Sequence, residues 1–387
     1  MSLMAKALRE STGGLAEANQ QDVRAAQEEG LPSTLVARLA FPAERIQQRA
    51  AVLEEIARLP TPLGRVDCLR VLPNGLRAGK LRCPIGVIAM IYEARPHVTL
   101  NAGALCLRTG NAVIMKGGSE INRTNRFLGR LWERALGAAD LPVKAVQVVT
   151  APGREVVSGL LAARGELDLI IPRGGKELIR AVTRKAQVPV IKHADGNCHV
   201  YVDEGADVAK AVAVVVDGKT LMPQVCNATE TVLVAEARAP AFLPRLGAAM
   251  ADHGVEIRGC ARTLELLAHA EPATEEDWRA EYLDLVLAVR VVGGLEEAIG
   301  AINEYGSHHT DAIVSPCERS IQRFMVQVDS AVVLSNASTM FCDGGSLGMG
   351  AEIGISTDRL HARGPMGMEE LTTYKWVIHG DGHVMAG

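Results

Sequence analysis

"IGVIAMIYEARPHVTLNAGALCLRTGNAVIMK", residues 85–116, decides the fold. Its opening "IGVIAMI" is a continuous apolar run of strand length. "VTLNAGALCLRTG" then repeats apolar residues at helical spacing and stops at Gly110, and "NAVIMK" returns to strand. Two apolar strands joined by a helix predict a parallel pair with a crossover, buried on both faces. The alternation continues through the helix "EINRTNRFLGRLWERALGAA", the strands "AVQVVT" and "LDLIIP", the helix "KELIRAVTRKAQ" and the strand "PVIK". That pattern predicts an α/β fold with a doubly wound sheet, in which ligands bind at the carboxyl ends of the strands.

A second α/β region is predicted from "CHVYVD", "DVAKAVAVVVDGK", "ETVLVA", "APAFLPRLGAAMADHG", "VLAVRVV", "LEEAIGAINEYG", "DAIVS" and "SAVVLS". Upstream of the first region, about 60 residues read as helices closed by Pro60. "RVDCLRVLPNGLRAGKLRCP" follows as a β-hairpin turning at Pro73, Asn74 and Gly75. Too poor in large apolar residues for a core of its own, it needs another element or subunit to pack on. A Gly-rich, poorly periodic stretch at 336–367 reads as a functional loop, and "TTYKWVIHG" as an exchanged or edge strand.

The chain has 387 residues, 41 basic and 45 acidic, for a net charge of −4. No charge run suggests nucleic acid, and no apolar stretch approaches the length of a membrane span. A cytoplasmic protein with a small-molecule substrate is expected. Its eight cysteines form no C-x-x-C pair and no zinc spacing, so most are expected to be reduced core residues. "SHHTD", with His308, His309 and Asp311, is read as a loop rather than a metal site.

The ordinary G-x-G-x-x-G turn is missing. In its place, the strand "NAVIMK" runs into Lys116, Gly117, Gly118, Ser119 and Glu120. Lysine at a strand's carboxyl end suits ribose or phosphate and glycines admit a ligand closely, although a plain turn with a solvated lysine has the same pattern. Arg173, Gly174 and Gly175 open a helix, a second place for an anion. Cys226 in "PQVCNATET" sits on a loop before a strand, where a thiol can be exposed and activated. Cys342 meets the same condition, and local pattern leaves the choice open.

"PIGVIAMIYEARP", "LRTGNAVIMKGGSEINRTN", "IIPRGGKEL", "VPVIKHADGNCHVYVD", "PQVCNATET" and "GAEIGISTDRLHARGP" occur in this order. With them the chain resembles, over nearly its whole length, the γ-glutamyl phosphate reductases, or glutamate-5-semialdehyde dehydrogenases, of the aldehyde dehydrogenase superfamily. The resemblance implies NADPH-dependent reduction of γ-glutamyl phosphate to glutamate γ-semialdehyde and phosphate, a step toward proline. It implies Cys226 as nucleophile, with the Cys226 backbone N–H and Asn227 as oxyanion donors. His193 of "KHADGN" takes the place of the superfamily's water-activating glutamate, which suits an acyl group destined for phosphate rather than water. Lys116 and Glu120 match the adenosine-ribose pair and Glu281 the nicotinamide-ribose carboxylate; Gly117, Arg173 and Gly174 complete the expected cofactor set. Arg95 is expected at the acyl phosphate, and Asn336, Ser338 and Thr339 at the glutamyl α-carboxylate or amine.

The architecture implied is an aldehyde dehydrogenase-like pair of doubly wound α/β domains with a small β oligomerisation arm. The cofactor domain would take residues 1–65, 84–195 and 355–371, the catalytic domain 196–354, and the arm 66–83 and 372–387. A homodimer or homotetramer follows, with the pathway's glutamate kinase as a partner and no metal, membrane or nucleic acid. Met340 stands where the family often has Arg, and Leu221 where Gln is usual. A carboxylate at Glu120 would repel a 2′-phosphate, so NADPH rests on the resemblance alone. The alternatives are an acylating aldehyde dehydrogenase using an acyl-coenzyme A, and a catalytically silent binding protein.

Overall fold

The computed structural model describes residues 1–192 and 195–385. It divides into two compact units: Met1–Lys192 with Gly348–Gly354 and Leu360–Gly387, and His193–Leu347 with Ile355–Arg359.

The first unit opens with helices α1 (Ser2–Glu10), α2 (Thr12–Glu28), α3 (Ser33–Leu39) and α4 (Ala43–Arg58). Strands β1 (Val66–Val71) and β2 (Arg77–Pro84) form the expected hairpin, with a bulge between Asp67 and Arg70. The parallel sheet is built from β3 (Val87–Tyr92), β4 (Ala112–Gly117), β5 (Val146–Val148) and β6 (Leu169–Arg173), in the order β5-β4-β3-β6. Helices α5 (Pro96–Arg108), α6 (Asn122–Ala138), α7 (Arg154–Ala162) and α8 (Lys176–Lys185) flank it. Successive side chains of a strand point to opposite faces. Accordingly Ile88, Met90 and Tyr92 of β3 pack with Leu53, Leu105 and Trp132, while Ala89 and Ile91 pack with Leu161 and Val182. The register sets Tyr92 opposite Gly117 on one side and Arg173 on the other, so three strands end level.

"PVIK" corrects one expectation, since it contributes a single bridge, Val190 to Ile170, and no strand. The C-terminal strand Thr372–His379 pairs antiparallel with β2 along its length, making a three-stranded sheet. Tyr374, Trp376 and Ile378 are exposed on that strand, as are Leu69 and Val71 on β1. The Lys80 ammonium lies 4.1 Å from the Tyr374 ring centroid, and Asp67 pairs with both Arg65 and Arg82.

The second unit is a seven-stranded parallel sheet. Its strands are β7 (Cys198–Val202), β8 (Thr229–Ala235), β9 (Glu256–Gly259), β10 (Glu271–Pro272), β11 (Val286–Val292), β12 (Thr310–Val314) and β13 (Val332–Ser335), in the order β10-β9-β11-β8-β7-β12-β13. Helices α9 (Val208–Thr220), α10 (Ala239–Asp252) and α11 (Ala261–Leu266) cover one face, and α12 (Leu295–Tyr305) and α13 (Glu318–Gln327) the other. Val232 and Val234 of β8 join the first of these cores and Leu233 and Ala235 the second. Asp311 is no loop residue: it lies fully buried in β12 and accepts from the His199 N–H and ring Nδ1, both at 2.8 Å.

Candidate active site

At the level strand ends of the first unit, Lys116 is buried, and its Nζ donates to the Gly117 carbonyl at 2.6 Å. Burial lowers its pKa from the usual lysine value, and Glu120 opposes that shift. Glu120 turns back over the chain to accept the Ala94 N–H at 2.7 Å. The two glycines of this turn serve the protein itself. A Cβ on Gly117 would fall 2.2 Å from Asn125 Nδ2, and one on Gly118 would fall 2.1 Å from Glu120 Oε2. Gly117 thus has a packing role. In the neighbouring turn, Glu93 Oε2 accepts the Gly175 N–H at 2.8 Å, and a Cβ on Gly174 would meet the same oxygen at 2.4 Å. The ammonium of Lys116 and the carboxylate of Glu120 suit the hydroxyls of a nucleotide ribose, at the sheet edge where nucleotides bind. These residues fit a nicotinamide cofactor.

Cys226 lies in the second unit between α9 and β8, half-buried. Its loop is fastened at both ends. Lys219, in the last turn of α9, donates to Glu230 of β8 at 2.6 Å, and both side chains are fully buried. Burial pushes the Glu230 carboxyl up to about 7 and pulls Lys219 down; their mutual attraction and the Leu283 N–H act the other way. The Cys226 carbonyl accepts from Cys198 Sγ at 3.3 Å. It also lies against Gly196, where any Cβ would stand 1.8 Å from that oxygen. The Gly196 N–H donates to Glu281 Oε1 at 2.8 Å, so Glu281 is held one residue away from the Cys226 backbone.

Asn227 is tied into the loop. Its buried amide donates to the carbonyls of Thr339, Met340 and Cys342 at 3.2–3.3 Å, tying the turn at 339–342 to the cysteine loop. No described group accepts the Cys226 N–H. The expected substrate residues also make bonds within the unit. Asn336 closes a pair with Ser315, accepting its N–H at 3.0 Å and donating to its carbonyl at 2.9 Å. Thr339 is fully buried and bonded to Thr229 at 3.0 Å, and Ser338 Oγ caps the turn through the Met340 N–H. In a Gly-rich stretch, such residues serve loop geometry as readily as ligands.

Among the rival thiols, Cys342 is fully buried. Burial first, then the charges of Asp311 and neighbouring thiols, raises Cys198 well above its usual range, and burial pushes Cys106 up to about 12. Cys317 is exposed, and its thiol is held low by hydrogen bonds from Ser320. His193 lies outside the described residues. Arg95 caps α5, with Nη1 3.2 Å from the Glu93 carbonyl. No group of three or more metal-ligating side chains occurs among the described residues.

A sequence profile of the aldehyde dehydrogenase family matches residues 15–258. The chain is 51% identical over 381 residues to a γ-glutamyl phosphate reductase of Moorella thermoacetica, covering 98% of this chain and 91% of the relative. It is 53% identical over 366 residues to the Thermus thermophilus reductase, covering 94% and 88%. The crystal structure of the Thermotoga maritima reductase superposes with a TM-score of 0.95 at 42% identity, over 99% of this chain and 92% of that one.

Proposed function

As the chain belongs to the aldehyde dehydrogenase family and, within it, to the γ-glutamyl phosphate reductases, we propose that it reduces γ-glutamyl phosphate to glutamate γ-semialdehyde through a thioester on Cys226. The observation that carries this reading is the near-full-length identity to reductases of that name. The half-buried Cys226, with its backbone clamped and its own N–H unclaimed among the described residues, agrees with it.

The Cys226 thiolate attacks the acyl carbonyl, the carbon–sulfur bond forms, and the carbon–oxygen bond to phosphate breaks. The Cys226 N–H stabilises the oxyanion of the tetrahedral species; one such donor is worth about 3 kcal/mol. When bound, reduced nicotinamide supplies the hydride that takes the thioester to the aldehyde level. Collapse of the thiohemiacetal then returns the Cys226 thiolate. Glu281 is assigned to the nicotinamide ribose and Lys116 with Glu120 to the adenosine ribose. Burial in the cofactor turn keeps the Lys116 donor fixed in place. NADPH is the proposed form of the cofactor. His193 is assigned to the position where a stronger base would lose the thioester to water.

The three-stranded sheet of β1, β2 and the C-terminal strand is proposed as an arm that joins subunits into a homodimer or homotetramer. A glutamate kinase is the proposed source of the labile acyl phosphate. Among the described residues, no helix is long and apolar enough to cross a membrane.

The assay runs the reaction backwards with NADP⁺, glutamate semialdehyde and inorganic phosphate. NADPH formation should require phosphate. Turnover without phosphate, or coenzyme A replacing it, would overturn the assignment, and a Cys226→Ser variant that kept its turnover would overturn the thioester.

A further inference from the structure

Three chain segments enter neighbouring strands at the amino edge of the second unit's sheet. In the order β11-β8-β7, residues 281–283 lead into β11, Cys226 into β8 and Gly196 into β7. The parallel register sets Cys198 opposite Thr229 and Ala288 opposite Thr231, so the three strands begin nearly level. Glu281 belongs to the β11 segment, yet its Oε1 accepts the Gly196 N–H of the β7 segment at 2.8 Å. Buried Asn197 adds a second tie, donating to the Trp278 carbonyl at 2.9 Å. The two lead-ins that flank Cys226 are thus joined to each other, and Glu281 is the side chain that joins them next to its carbonyl.

What aims Glu281 is the backbone just after it. Leu283 has a φ of 56°, in the left-handed region, where a bulky side chain stays only if its surroundings hold it. Two anchors are in place. The Leu283 N–H donates to Glu230 Oε1 at 3.2 Å, while Oε2 of the same carboxylate accepts from Lys219 Nζ at 2.6 Å. The Tyr282 hydroxyl donates to Asp277 Oδ1 at 2.8 Å, and the Lys219 ammonium lies 6.0 Å from the centroid of the Tyr282 ring. Glu230 and Lys219 are fully buried, whereas residues 281–283 are only half-buried, so the pair is the fixed body and the turn is what it holds. Burial pushes the Glu230 carboxyl up to about 7 and the nearby Glu281 charge adds to the rise, while Lys219 and then the Leu283 N–H oppose it.

We propose that Glu230 is a positioning residue for the reaction: by accepting the Leu283 N–H it fixes the left-handed turn from which Glu281 reaches Gly196 and the nicotinamide ribose. The ribose contact of Glu281 rests on the proposed function; the turn belongs to the chain alone. Glu230 acts through Glu281. It supplies one oxygen acceptor at one backbone N–H, and Lys219 is the counter-charge that lets a carboxylate stay buried there.

Two double variants of the whole chain separate the acceptor from the ion pair. Lys219→Met with Glu230→Gln removes both charges and keeps a carbonyl oxygen within reach of Leu283; Lys219→Met with Glu230→Leu removes the oxygen as well. NADPH affinity is read from the fluorescence of the bound cofactor, and circular dichroism identifies the folded variants. The second pair is expected to bind NADPH about tenfold more weakly than wild type, the effect of one lost hydrogen bond, and the first to recover most of that loss. In turnover, the KM for NADP⁺ should follow the affinity while the KM for phosphate stays. Equal NADPH affinity in the two pairs, whether like wild type or equally weak, overturns the positioning role, as does weaker binding by the first pair. Should the pairs not fold, Glu230→Asp keeps the buried charge and draws the acceptor back by a methylene; it should weaken NADPH binding too, and wild-type affinity there overturns the role. The two readings fail separately: turnover without phosphate would overturn the proposed reaction and leave the comparison of NADPH affinities standing.

Discussion

Several cysteines compete for a thiol reagent, Cys68 and Cys317 being exposed and Cys83, Cys226 and Cys260 half-buried, and only Cys226 is assigned to the chemistry. Cys317 is exposed and its thiol is lowered by Ser320, so it should alkylate readily although it only begins helix α13. Iodoacetamide is expected to modify Cys317 early without loss of turnover, and inactivation should track the modification of Cys226 and not that of Cys317 or Cys68, as mass spectrometry can follow. His97 gives a second residue-scale prediction. Burial first, then the charges of Arg49, Arg173, Arg95 and Arg45, holds its native pKa at about 3, below the ordinary value of 6.5. Between these values the unfolded chain binds the extra proton, so the contribution to stability is complete above pH 6.5 and is lost as pH falls toward 3. Replacing His97 by Gln should flatten the acid limb of the stability curve by up to about 1.4 kcal/mol per pH unit.

The loop that carries Cys226 depends on the buried pair linking α9 to β8. Removing one partner strands a buried charge, which costs about 3–5 kcal/mol, whereas replacing both with apolar groups is often close to neutral. Lys219→Met should therefore lower the melting temperature and kcat together, and Lys219→Met with Glu230→Leu should recover much of the first loss. An equal melting temperature in single and double variants would show that the pair does not brace the loop. Legibility in the sequence divides along similar lines. β3, α5 and β4 are readable because both faces are buried and nearly every position is apolar. Helices α7 and α13 are not, since α7 buries only Leu161 and α13 only Ile321 and Phe324. "PVIK" has strand composition, but Pro189 brings no N–H to a ladder. In the site, Cys226 stands out through the order of the motifs, whereas Asn227, Asn336 and Thr339 have the polarity of ligands and the bonds of loop braces.

At the scale of the molecule, the three-stranded sheet leaves Tyr374, Trp376 and Ile378 exposed on one strand. Exposed apolar side chains gathered on a sheet mark an interaction surface. Trp376→Glu with Ile378→Glu should shift the protein to a smaller species in sedimentation while leaving its circular dichroism unchanged. No change in mass would remove the arm from the account of assembly. The same strand has a consequence in time. Arg82 of β2 meets Thr372, 290 positions further along the chain. A ribosome must therefore deliver the entire second unit before β2 gains its outer partner. Until then the nascent chain displays an open strand edge, a template for pairing with another chain. The interval from β2 to the last strand is when this protein most needs a chaperone, and slowing synthesis within it should send more product to inclusion bodies than slowing it earlier.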